Sequence, residues 1–273
     1  MKLINKIARN TYSIILKIVN ILKPFIQKRN YLGYKLYYSK GTSLIERLKQ
    51  KNSIYEPETC NIIIDLLRYT KNPCFIDIGA NIGLISLYVL RNVPNVQIFA
   101  FEPGPHQFEL FRKTIDRNEL EHRISLYKTA ISNVKGTLDF FVHNTKDVSG
   151  DGFIDTLRAG TSKIIQVPTI PLDQWWLDEN KPQIDFIKID TEGAELWILQ
   201  GAKELISICK PIILTEMSDL NYINYPYSEI DVLNLLYNYN YIVYNEKREI
   251  TDLNNLRSFQ EKKIYTYYCI PRM

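Results

Sequence analysis

Residues 75–83 read Phe75-Ile76-Asp77-Ile78-Gly79-Ala80-Asn81-Ile82-Gly83, a short apolar run that ends in a glycine turn. A helical pattern follows through Leu84, Leu87, Tyr88 and Leu90. Apolar run, glycine turn and helix in that order open a βαβ unit, in which glycine lets the backbone turn tightly beside a ligand. Working outward, residues 96–102 are a second buried-strand signature closed by Pro103, residues 106–117 are helical, and residues 124–130 form a third strand. Upstream, residues 58–69 predict a helix with Glu56-Pro57 at its start. This alternation predicts an α/β fold with a doubly wound, mostly parallel sheet.

From residue 134 to 170 the alternation lapses. Residues 136–142 and 164–168 read as strands of an insertion, with a polar loop at 145–161 between them. The alternation then resumes with a strand at 184–190, a helix at 194–207, a strand at 212–217 and a helix at 230–239. Residues 241–244 and 264–270 read as a closing antiparallel hairpin.

The turn reads Asp-x-Gly-x-Asn-x-Gly, not the G-x-G-x-x-G that seats a pyrophosphate on a helix N-terminus. A carboxylate before the first glycine suits a ligand that carries an ammonium and a sulfonium, as S-adenosylmethionine does. Glu102 lies twenty-five positions after Asp77, at the end of the next strand. Doubly wound sheets bind ligands at the carboxyl ends of their strands, where Glu102 is placed to accept both hydroxyls of a ribose.

These stretches resemble the FkbM-type methyltransferases, a class I family dependent on S-adenosylmethionine. The similarity rests on FIDIGANIG at 75–83, FAFEP at 99–103 and DFIKIDTEGAELWILQGA at 185–202, with weaker matches at Asn118, Ala130, Gly136, residues 170–173 and Glu216. It spans residues 56–220 and implies a Rossmann-like methyltransferase fold with Asp77, Gly79, Asn81, Gly83 and Glu102 lining the cofactor pocket. Positions near Ala130 are candidates for the adenine end. The family's characterised members mostly methylate hydroxyl oxygens, which implies O-methylation of a saccharide or another small acceptor. The stretch Asp-Thr-Glu-Gly after the fourth strand, where many N-methyltransferases carry Asn/Asp-Pro-Pro-Tyr/Phe, agrees with oxygen as the acceptor.

Methyl transfer to an alcohol needs an aligned oxygen and a group that takes its proton. Asp190 and Glu192, at the fourth strand's end, are the candidate carboxylates, and His143 in the insertion is a candidate base. Asp190 and Glu216 end neighbouring strands and form the candidate pair for a divalent cation, should one bind the acceptor hydroxyl. Glu195 suits either a helix N-terminus, through its dipole, or a functional role. Lys188 either points to the other face of the sheet or orients a carboxylate. The loop at 145–161, Trp175-Trp176 and the C-terminal tyrosines suit either the acceptor pocket or the core and surface.

Composition narrows the alternatives. Cys60, Cys74, Cys209 and Cys269 are far apart and form no C-x-x-C pair, which argues against a zinc site or a secreted disulfide scaffold and for a reducing, cytoplasmic compartment. The first 45 residues carry +9 and the remaining 228 carry −5. Ile4, Ile7, Ile14, Ile15, Ile18, Leu22 and Phe25 follow helical spacing among those lysines, so residues 1–50 read as a basic amphipathic extension before a methyltransferase domain at 51–273. The segment falls short of a spanning helix, which needs about 20 mostly apolar residues. No small-x-small cleavage site follows it. Residues 1–30 suit an anionic membrane surface, at the inner face of the membrane, or packing on the domain or on a second copy. Nucleic acid is a poorer partner for so Ile- and Leu-rich a segment. Two further readings stay open: an NAD-dependent oxidoreductase and a non-catalytic membrane adaptor on the same fold.

Overall fold

The computed structural model describes residues 26–40, 54–143, 150–156 and 162–272, together with Thr42, Ile45, Glu46 and Leu48. The amphipathic helix expected before residue 26 lies outside these residues, as does most of the polar loop at 145–161. Among the described residues no helix is long and apolar enough to cross a membrane.

The chain opens with β1 (Ile26–Tyr31), β2 (Tyr34–Ser39) and α1 (Pro57–Leu67), then alternates through β3 (Cys74–Ile78), α2 (Leu84–Asn92), β4 (Gln97–Phe101), α3 (Pro105–Asn118) and β5 (Ile124–Tyr127). The insertion holds β6 (Ala130–Ile131), β7 (Gly136–His143) and β8 (Ser162–Ile170). Next come α4 (Leu172–Asp178), β9 (Phe186–Ile189), α5 (Glu195–Gln200), α6 (Lys203–Cys209) and β10 (Ile212–Glu216). The chain closes with α7 (Glu229–Asn238), β11 (Tyr241–Asn245), α8 (Leu256–Glu261) and β12 (Thr266–Pro271).

Seven strands form the central sheet in the order β11-β12-β10-β9-β3-β4-β5. The pairs β9–β10, β3–β9, β3–β4 and β4–β5 are parallel, and β12 runs antiparallel to both β10 and β11. This is the doubly wound sheet the sequence predicts. Phe75, Ile76, Ile98, Phe101, Phe186, Ile187 and Ile213 are buried, because helices cover both faces of a parallel sheet and select unbroken apolar runs. The order reverses at β3, so the crevice of the switch point opens where β3, β4 and β9 end.

Four local departures have physical causes. The third strand breaks after Tyr127, and Ala130–Ile131 leaves the main sheet to pair with β8 of the insertion. The helix expected at 194–207 is two helices, because Asp173 reaches in from α4 and accepts the N–H groups of Glu204 and Leu205, giving α6 its own N-terminus. The expected closing hairpin pairs as predicted, but α8 interrupts its connection. Residues 26–40, expected to belong to the amphipathic extension, form instead a β-hairpin on α3: the Lys35 N–H donates to Asn118 and the Tyr37 N–H to Thr114. Tyr31, Leu36, Tyr38, Ile45 and Leu48 share one apolar cluster with α1 and α2.

Trp175 and Trp176 are core residues, and Trp175 packs edge-on against Phe99 and Phe101. Gly83 has φ 85°, and a Cβ there would stand 2.2 Å from the ring of buried Phe111. Its need is therefore packing between α2 and α3. Gly83→Ala is expected to cost about 3 kcal/mol, from the left-handed backbone and the clash together, read as a lowered urea midpoint with an unchanged slope.

Candidate active site

The ends of β3, β4, β9 and β10 and the start of β12 enclose a cleft of ≈ 260 Å³. One half of it is organised by Glu102, which follows β4 and is 7% exposed. Its Oε2 accepts the Asn81 N–H at 2.8 Å and its Oε1 accepts the Gly104 N–H at 2.7 Å. Burial pushes its carboxyl up to about 7, against the pull of those two N–H groups. Asn81 can present its N–H because it sits at φ 52°, a left-handed conformation that Asn tolerates better than most side chains. Ala130 and Ile131 from β6 and Phe140 and Phe153 from the insertion also line the cleft. Gln107 at the start of α3 stands beside Glu102 and donates from Nε2 to Asp151 at 2.8 Å.

The other half is organised by Lys188. Register places Lys188 on β9 beside Asp77 on β3, and both side chains are buried. Nζ stands 3.2 Å from Asp77 Oδ1 and 3.4 Å from Asp190 Oδ2, and it donates to the Gly79 carbonyl at 3.3 Å. Asp77 Oδ2 accepts the Ser86 hydroxyl at 2.6 Å. Burial alone would lower the Lys188 ammonium, but Asp77, Asp190 and Glu56 outweigh it and push the group above its ordinary value. Asp190, Glu192 and Glu216 line this half, joined by Glu56 from the start of α1. Burial, and then the charges of Asp190 and Glu192, push Glu216 well above the usual carboxylate range. Carboxylates so crowded around one ammonium favour a cationic ligand.

The turn after β9 is held from beneath. Glu195 is fully buried and accepts the Thr191 and Gly193 N–H groups at 3.2 and 3.3 Å, with the hydroxyls of Thr191 at 3.0 Å and Tyr222 at 2.9 Å. Glu195 is thus a turn anchor, and Glu192 is the member of the pair at the cleft wall.

Of the residues singled out from sequence, Gly79, Asn81, Glu102, Ala130, Asp190, Glu192 and Glu216 line the cleft. Asp77, Gly83 and His143 do not. Asp77 lies behind the cleft wall, where the buried face of β3 turns it toward Lys188. Gly83 faces Phe111. Gly79 does line the cleft, but its missing Cβ is required by Asp190, whose carbonyl oxygen would lie 2.0 Å from it. The His143 ring is buried between Asp151 and Asp155, 3.4 Å from each, and the backbone N–H of His143 donates to Asp151 at 2.9 Å. Of its two carboxylate neighbours, Asp151 lines the cleft. His106 and His122 are exposed.

For the metal alternative, no group of three or more His, Cys, Asp or Glu side chains able to hold an ion occurs among the described residues. Sequence reasoning missed Tyr55, Glu56, Thr59, Gln107, Asp151 and Thr266 at the cleft. Two signals touch them: Asp151 lies in the loop at 145–161, which suits the pocket as a segment, and Glu56 stands at a helix start, which marks a fold feature.

The sequence pattern of the methyltransferase FkbM domain matches residues 77–243, more than half of the chain. The chain is 31% identical over 169 residues to 2-O-methyltransferase NoeI of Sinorhizobium fredii, covering 58% of this chain and 68% of that protein. It is 23% identical over 202 residues to hexuronic acid methyltransferase AglP of Haloferax volcanii, covering 74% and 77%. Among solved structures, a methyltransferase FkbM from Methylobacillus flagellatus aligns with TM-score 0.49 at 18% identity, over 75% of this chain and 45% of that one. The strand order, the cleft at the switch point and the domain match agree, and the chain belongs to the FkbM methyltransferase family.

Proposed function

We propose that this enzyme is an S-adenosylmethionine-dependent O-methyltransferase acting on a saccharide hydroxyl. The observation that carries this reading is the polarity of the cleft. At one end Glu102 has both oxygens fixed by backbone N–H groups, which leaves lone pairs for two vicinal hydroxyls. At the other end stand Asp190, Glu192, Glu216 and Glu56, which suit a ligand with cationic groups. Phe140 and Phe153 supply apolar wall for a flat base. The names of NoeI and AglP support a sugar as the acceptor.

When bound, S-adenosylmethionine supplies a methyl group activated on a sulfonium. Asp190 or Glu192 would hold the acceptor hydroxyl and take its proton as the methyl group passes from sulfur to that oxygen. Glu195 and Tyr222 fix the turn that carries both carboxylates, so that alignment is built in before the acceptor arrives. His143, through Asp151, steadies Gln107 at the sugar-nucleoside end. A catalytic cation held by Asp190 and Glu216 remains a separate proposal, tested by activity after chelation.

Calorimetric titration tests the cofactor. Saturable binding of S-adenosylmethionine, lost in Glu102→Ala and absent for NAD, is expected, and a well-folded protein that binds only NAD would overturn the reading. The pH dependence has a definite sign. Because Glu102 is raised to about 7, it takes up a proton as pH falls through that value and loses acceptor capacity. Affinity is therefore expected to hold above about pH 7 and to weaken below it, by up to about tenfold per unit.

We also read residues 1–30 as a surface anchor to anionic lipid at the cytoplasmic face, on the strength of their charge and apolar periodicity. Co-sedimentation with anionic vesicles, lost on deleting these residues and absent with zwitterionic vesicles, is the expected outcome.

A further inference from the structure

The expected ligand carries two cationic groups, and the carboxylate that the sequence offers for them, Asp77, is 0% exposed and already engaged by Lys188 and Ser86. The carboxylates that reach the cleft at this end must answer those charges instead. Asp190 packs its backbone against Gly79, so its place is over the glycine turn that ends β3. Glu56 comes from a different element and lies outside the segment that matches the family domain.

Several features show that Glu56 is placed with care. It has φ 43° and ψ 66°, immediately before Pro57. A residue before proline prefers extended backbone, and a non-glycine residue in the left-handed region costs of order 1–3 kcal/mol. The same residue starts α1, its carbonyl accepting the Cys60 N–H at 2.9 Å, so its backbone is fixed by the helix. The hydroxyls of Tyr55 and Thr59 hydrogen-bond its side chain. Its carboxyl is pushed up first by burial and then by Asp190, while Lys188 pulls it down. Glu56, Asp190 and Glu216 thus face one space from three elements, with the Lys188 ammonium beside them.

We propose that Glu56 faces the sulfonium of the bound methyl donor, so that this residue lets the cleft distinguish the donor from its demethylated product. This rests on the methyltransferase reading above. Transfer removes the positive charge on sulfur, the attraction of Glu56 for the ligand falls with it, and the product leaves a pocket that still holds its carboxylates.

The test is calorimetric and needs no acceptor. S-adenosylmethionine and S-adenosylhomocysteine are titrated into the full chain and into Glu56→Gln, which keeps the side chain's shape. The variant is expected to bind S-adenosylmethionine about tenfold more weakly, while its affinity for S-adenosylhomocysteine changes by less than about twofold. Equal losses for the two ligands would overturn the proposal and give Glu56 to the amino group, which both ligands share. No loss for either would place Glu56 away from the ligand and overturn it as well. A wild-type chain that binds neither ligand would fail the methyltransferase reading itself, a distinct result. The wild-type protein supplies a second measurement if the variant folds poorly. Glu102 acts on the ribose of both ligands alike, so the ratio of the two affinities reports the sulfonium end. That ratio is expected to fall as pH drops and the carboxylate takes up a proton, and a ratio independent of pH would contradict the proposal.

Discussion

The ammonium of Lys188, buried between Asp77 and Asp190, is the constraint around which this active site is arranged. A lysine at the centre of a parallel sheet is costly unless its charge is answered within hydrogen-bonding distance. Register supplies the answer: Lys188 and Asp77 are neighbours across β9 and β3. The ammonium then has contacts left for the Gly79 carbonyl and the Asp190 carboxylate. One buried cation thereby ties the glycine turn to the end of the fourth strand. Such an arrangement adds little net stability compared with an apolar pair, but removing one partner is expensive, and this fixes geometry.

The remaining walls follow from that tie. With Asp190 pressed against the turn, no Cβ fits at position 79, and the chain runs on through Asn81 in a left-handed conformation that delivers its N–H to Glu102. Glu102 is therefore anchored to the same turn that Lys188 holds from the other side. The two ends of the cleft differ sharply in character: one carboxylate with its oxygens fixed by N–H groups, and a cluster of carboxylates around one ammonium. A ligand with a diol at one end and cationic charge at the other matches both.

Much of the fold was legible because buried parallel strands and glycine turns write strong local patterns. FIDIGANIG, FAFEP and FIKID each name a strand and the residue at its end. The same burial hid the direction of Asp77. In a strand covered on both faces, apolar residues stand on both sides, so no alternation tells which polar residue faces the ligand and which faces the core. The single helix predicted over 194–207 is two helices for another reason: the break depends on Asp173, some thirty residues upstream, and local periodicity carries no trace of a cap that arrives from elsewhere. Glu56 was visible only as a helix start. Its position at the cleft depends on one unusual backbone conformation and on where α1 packs. His143 looked like a base because histidine titrates near neutrality, whereas its two carboxylate neighbours are set by the insertion's own pairing.

The most direct test of this account is a double-mutant cycle on stability, using Lys188→Met, Asp77→Asn and the two together, followed by urea denaturation. Each single change is expected to leave a buried charge poorly answered and to cost about 3–5 kcal/mol, while the double change costs clearly less than the sum, with a coupling of about 2 kcal/mol or more. Additive losses would contradict it, because they would mean that the ammonium and Asp77 do not depend on each other and that the site is held together elsewhere.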